Sequence, residues 1–129
     1  MSEKIGGTAP KALVADDETM LRFVACETLQ DAGFKVTEAA DGASALAILQ
    51  SDSSIELLVS DIRMPGMNGI ELAEAGLKLR PGLKVLLMTG YATESLPASL
   101  RERGLEILRK PFDLSDLSSR ALSLVANGA

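Results

Sequence analysis

Five short apolar runs alternate along the chain with stretches of helical period, and each run ends on polar or charged residues. The first, Ala12-Leu13-Val14-Ala15, closes on Asp16-Asp17-Glu18. The third, Leu57-Leu58-Val59-Ser60, closes on Asp61 and breaks into a turn carrying Pro65, Gly66, Asn68 and Gly69. The fourth, over 83–88, ends on Thr89-Gly90-Tyr91, and the fifth, Glu106-Ile107-Leu108, ends on Arg109-Lys110-Pro111. Near-continuous apolar runs of this length are what parallel strands buried on both faces require. The second, over 34–39, alternates apolar and polar residues and predicts a more exposed strand.

Between the runs, Leu21, Val24, Ala25, Thr28 and Leu29 recur at helical spacing over 19–32, with Gly33 as a stop. Leu46 and Leu49 mark a second helix over 44–50, and Ile70, Ala73 and Leu77 a third over 69–79. A fourth, over 92–103, is expected to be short or frayed at its start because of Pro97. Leu114, Leu117, Ala121, Leu124 and Val125 give the clearest amphipathic pattern, a fifth helix. Each connection is too long for a hairpin and fits a βαβ crossover. The expected fold class is therefore α/β, an open, doubly wound parallel sheet of five strands with five helices on its two faces.

The 129 residues suit one domain over 11–126, preceded by a flexible lead-in at 1–10 and followed by a short tail at 127–129. Only 3% of residues are aromatic against 47% hydrophobic, so the core must be aliphatic. A net charge of −5 argues against direct nucleic-acid binding, which calls for a basic face. The single cysteine, Cys26, cannot form an intramolecular disulfide and fits a reducing compartment; with the methionines it reads as packing material. No apolar run approaches the roughly 18 residues of a membrane span. A cytoplasmic domain is the simplest expectation.

In open α/β sheets the working site lies beyond the carboxyl ends of the strands. There the pattern places Asp16 and Asp17 after strand one, Asp61 after strand three, Thr89 after strand four and Lys110 after strand five. Each has an ordinary alternative: a helix cap, a turn starter, a strand-end hydroxyl, a surface lysine. Their joint arrival at one sheet edge favours chemistry. Two carboxylates 4 Å apart repel by about 1 kcal/mol in water and about 4 kcal/mol at an effective dielectric of 20. A hard divalent cation such as Mg²⁺ removes that penalty, and it binds through one or two carboxylates, waters and phosphate oxygens. A carboxylate can be a nucleophile that forms an aspartyl phosphate, while the cation, the lysine and a threonine hydroxyl neutralise the transferring phosphoryl group.

Four segments in this order, Asp16-Asp17-Glu18, Asp61-Ile62-Arg63-Met64-Pro65-Gly66, Thr89-Gly90-Tyr91 and Lys110-Pro111-Phe112, resemble the signature of receiver domains of two-component response regulators over about 11–126. The resemblance implies a flavodoxin-like (CheY-like) fold with strand order 2-1-3-4-5. It implies Asp61 as phosphoacceptor, with Asp16, Asp17, Asp61 and the backbone carbonyl of Arg63 around Mg²⁺ (or Mn²⁺). Thr89 and Lys110 would contact the phosphoryl group, and Lys110-Pro111 would be a cis peptide. The function implied is a phosphorylation-activated switch in a two-component phosphorelay, not an enzyme beyond its own phosphorylation and dephosphorylation. A histidine kinase or histidine phosphotransfer protein would donate. A downstream protein would read the face of helix four, strand five and helix five, with the domain a monomer or weak dimer. Such a chain would be a stand-alone receiver or one cut from a longer protein such as a hybrid kinase.

One position departs from the family. The aromatic residue usual three residues before the strand-five lysine is replaced by Ile107, while Tyr91 stands two residues after Thr89. This arrangement is similar to alphaproteobacterial receivers with a Phe-Ala-Thr-Gly-Tyr-type motif, with Leu87 and Met88 in place of its first two residues. Tyr91 and Ile107 are therefore the candidate switch positions, and Arg63 and Tyr91 are expected to shield the phosphoryl group from water. Two further readings carry different chemistry: an interaction module whose acids are relics, and a phosphohydrolase acting on an outside substrate. The second usually needs an acid two residues after the nucleophile, where this chain has Arg63. No Gly-rich phosphate loop follows strand one, which counts against nucleotide binding.

Overall fold

The computed structural model describes residues 9–90, 97–103 and 105–126. The elements run β1 (Lys11–Ala15), α1 (Thr19–Asp31), β2 (Lys35–Ala39), α2 (Gly42–Ser51), β3 (Ile55–Asp61), α3 (Gly69–Leu79), β4 (Lys84–Thr89), α4 (Ala98–Arg101), β5 (Glu106–Arg109) and α5 (Leu114–Ala126). All neighbouring strands are parallel and the order is β2-β1-β3-β4-β5. Four of the helices are substantial; α4 is a single turn, begun at Pro97.

Because strand side chains alternate between faces, the sheet divides the core in two. Leu13, Ala15, Leu58, Val85 and Leu87 point to the side covered by α2 and α3. Ala12, Val14, Leu57, Val59, Leu86 and Met88 point to the side covered by α1 and α5. Leu13, Leu57, Leu58, Leu86 and Leu87 are fully buried, and each contributes about 1.5–3 kcal/mol relative to an exposed side chain. The edge strand β2 buries only Ala39, in line with its alternating sequence.

Helix starts follow local chemistry. Asp41 accepts from the Ser44 N–H and starts α2 at Gly42, two residues earlier than the apolar pattern implies. Asn68 and Glu71 form a reciprocal capping box that fixes the start of α3 directly after the Asp61 turn. Leu21 on α1 is 40% exposed and Leu114, the first residue of α5, is 48% exposed, although both belong to the apolar pattern of their helix. Both lie at helix starts near the carboxyl edge of the sheet, where a cavity between α1 and α5 is left unfilled.

Candidate active site at the carboxyl edge of the sheet

Parallel strands deliver their last residues to one rim. Asp16 follows β1, Asp61 and Thr89 are the final residues of β3 and β4, and Lys110 follows β5. Asp16, Asp17 and Asp61 each offer a carboxylate oxygen, and these atoms lie within 4.8 Å of one another. Asp16 and Asp61 are buried, whereas Asp17 is exposed. The Lys110 ammonium donates to Asp61 Oδ1 at 2.7 Å, and the Lys110 N–H donates to the Thr89 carbonyl at 2.7 Å, locking β5's end to β4's. The Lys110–Pro111 peptide is cis. An open cleft of about 490 Å³ is lined by Asp17, Glu18, Asp61, Arg63, Gly90 and Lys110.

Burial pushes the Asp61 carboxyl up from its ordinary value, countered by the hydrogen bond and charge of Lys110 and reinforced by Asp17 and Glu18. Burial likewise pushes Asp16 up; the Glu18 N–H opposes it and the Asp61 charge adds to it. Both anions are thus short of compensating positive charge. Asp16 Oδ1 accepts from the Glu18 N–H at 2.9 Å, but Oδ2 is buried without a partner. A buried carboxylate oxygen left unpaired is costly, and a cation is what would satisfy it. The donor set is all hard oxygen, which suits Mg²⁺ or Mn²⁺.

Of the residues singled out by sequence, Asp16, Asp17, Asp61 and Lys110 come together at the rim, with Thr89 buried beside them at the end of β4. Arg63 is exposed at the cleft. Ile107 is not in the cleft: it is half-buried and packs against the core on the α2–α3 side. Tyr91 lies outside the described residues. Sequence reasoning missed Gly69 and Arg22. A Cβ on Gly69 would collide with the Asp61 carbonyl oxygen and the Ile62 α-carbon. Arg22 donates to the Asp16 carbonyl at 2.8 Å. The only signals were a glycine opening a helix and a basic residue one turn into α1.

The family model for the response regulator receiver domain matches residues 12–122. The response regulator receiver protein CpdR of Brucella abortus is 41% identical over 108 residues, covering 83% of this chain and 89% of that protein. The DNA-binding transcriptional regulator NtrC of Escherichia coli is 36% identical over 114 residues, 85% of this chain but only 24% of that longer protein. Among solved structures, a response regulator receiver domain protein from Clostridium thermocellum superposes with a TM-score of 0.84 at 27% identity, covering 92% of this chain and 95% of that one.

Proposed function

The chain belongs to the response regulator receiver domain family, the phosphorylation-activated switches of two-component signalling, and we propose that Asp61 is its phosphoacceptor. The observation that carries this assignment is the contact of the Lys110 ammonium with Asp61 Oδ1 beside two further carboxylates. One Asp61 oxygen is held by Lys110, which leaves the other to attack phosphorus from the open cleft. The new O–P bond replaces the P–N bond of a phosphohistidine, whose imidazole leaves. Lys110 is then placed to follow charge from the carboxylate to the phosphoryl oxygens, and the Thr89 hydroxyl to donate to one of them.

Asp16, Asp17, Asp61 and the Arg63 carbonyl would hold Mg²⁺, which when bound supplies charge neutralisation for acids and phosphoryl oxygens together. The unpaired Asp16 Oδ2 supports that reading. Arg63, at the cleft and in the place where a hydrolase would carry a second acid, supports a held phosphoryl group over turnover of outside phosphoesters. Receiver domains exchange signals with histidine kinases and effector domains. For this chain the output face would be α4, β5 and α5, with the domain acting as a monomer or weak dimer. Ile107, packed as an aliphatic core residue, is not suited to the aromatic rotamer change, and the role of phosphorylation reporter passes to Tyr91. Among the described residues no helix is long and apolar enough to cross a membrane.

The test is Mg²⁺ with a small-molecule phosphodonor or with beryllofluoride, read by intact mass and by amide spectra. The wild-type chain should gain one phosphoryl group and Asp61→Ala none. Equal phosphate uptake by the two would refute the assignment.

A further inference from the structure

Asp16 is held at nearly every polar atom. Its N–H donates to the Ala39 carbonyl at 3.2 Å, and its Oδ1 accepts from the Glu18 N–H at 2.9 Å. Its main-chain carbonyl accepts from Arg22 Nη1 at 2.8 Å. Only Oδ2 is left over. The Arg22 contact differs in kind from the other two, because it comes from a side chain on α1 that is itself tethered elsewhere. Arg22 Nε donates to Glu38 Oε1 at 2.8 Å, and Glu38 sits on β2 opposite Val14 of β1. The Arg22 side chain is only 15% exposed. One rigid guanidinium plane therefore joins α1, β2 and the β1–α1 loop, a geometry that a lysine's single donor centre cannot reproduce.

We propose that Arg22 is a positioning residue for the divalent-cation site. By fixing the Asp16 carbonyl it sets where Asp16 Oδ2 stands and where the next residue, Asp17, leaves the loop. This rests on the reading of Asp16, Asp17 and Asp61 as a Mg²⁺ site. Outer residues that orient metal ligands change affinity without touching the ion.

The sign of the effect separates this role from simple electrostatics. Arg22 is a cation near a cation site, so by Coulomb's law alone its removal should tighten Mg²⁺ binding. Loss of positioning should weaken it. The experiment is calorimetric titration of the metal-stripped 129-residue chain with Mg²⁺, repeated with Mn²⁺ by electron paramagnetic resonance, with folding checked by thermal unfolding in chelator. Arg22→Met, which keeps the stem and removes donors and charge, should bind about tenfold more weakly. Arg22→Lys, which keeps the charge, should bind about threefold more weakly. Glu38→Gln, which keeps an acceptor for Nε, should stay within about twofold of wild type. Wild-type or tighter affinity in whichever arginine variant folds would overturn the proposal, as would a loss in Glu38→Gln as large as in Arg22→Met. If the wild-type chain itself binds neither ion, the metal reading falls, and the Arg22 role with it.

Discussion

Gly69 stands directly against the main-chain carbonyl of Asp61, with no room for a methyl group between them. The first residue of α3 thus seats the last residue of β3. Its N–H also donates to the Ile62 carbonyl at 2.9 Å, closing the turn. Gly69→Ala would gain a little helix propensity but must push the Asp61 backbone aside. A net loss of about 1–3 kcal/mol is expected, in the range of overpacked sites. Phosphorylation should suffer more than stability does, because the displaced backbone carries the proposed phosphoacceptor. Denaturant unfolding and phosphodonor labelling of the variant check both; unchanged labelling would show that the rim tolerates the shift.

Asp17 is the exposed member of the acid triad. Asp17→Asn removes one charge from the cluster and leaves the buried pair in place. Relief of repulsion should stabilise the metal-free chain by up to about 1 kcal/mol. Mg²⁺ affinity should fall by at least about tenfold. Thermal unfolding with and without Mg²⁺ separates the two effects, and lower stability in chelator would count against mutual repulsion within the triad.

Cys26 is buried on α1, and burial, reinforced by the Glu38 charge and opposed by Arg22, pushes its thiol up to about 11 from an ordinary value of 9.0. The folded state therefore keeps its proton where the unfolded state loses it. Any stability from this source is fully present below about pH 9 and fades as pH rises from about 9 to about 11. At about pH 8 the thiolate fraction should be about hundredfold below that of an unfolded chain. Alkylation in native buffer and in denaturant measures the ratio; equal rates would refute it.

Arg80 ends α3 by donating to the Leu49 carbonyl and to the Ile55 carbonyl, each at 2.6 Å. It thus ties the last turn of α2 and the start of β3 at the rim opposite the acids. Arg80→Met should cost about 1.5–3 kcal/mol, the worth of hydrogen bonds made by a charged group. Mg²⁺ affinity should be unaffected at that distance in the fold. A loss of metal binding matching the loss of stability would show that the two rims are coupled.

The strands were legible because both faces of the sheet are buried, which leaves little choice of residue at Leu57, Leu58, Leu86 or Leu87. The acids were legible for the opposite reason: a carboxylate closing an apolar strand is conspicuous. Gly69 and Arg22 were not, since both act on main-chain carbonyls, and side-chain patterning carries no trace of such partners. The exposure of Leu21 and Leu114 was not legible, because helical period tells which residues share a face, not where the neighbouring element stops covering it. The start of α4 at Ala98 follows from Pro97, whose missing N–H suits a helix start and not an interior; the part of the expected helix over 92–96 lies outside the described residues.

The strand order has one more consequence, for the timing of synthesis. Asp16, Asp61, Thr89 and Lys110 come from four strand ends, and they meet only when the sheet is complete. A ribosome-bound chain that has reached Thr89 already carries its acids but lacks the ammonium that steadies Asp61. On the proposed assignment of Asp61, the set of groups that would receive a phosphoryl group is therefore complete only once the last strand has docked.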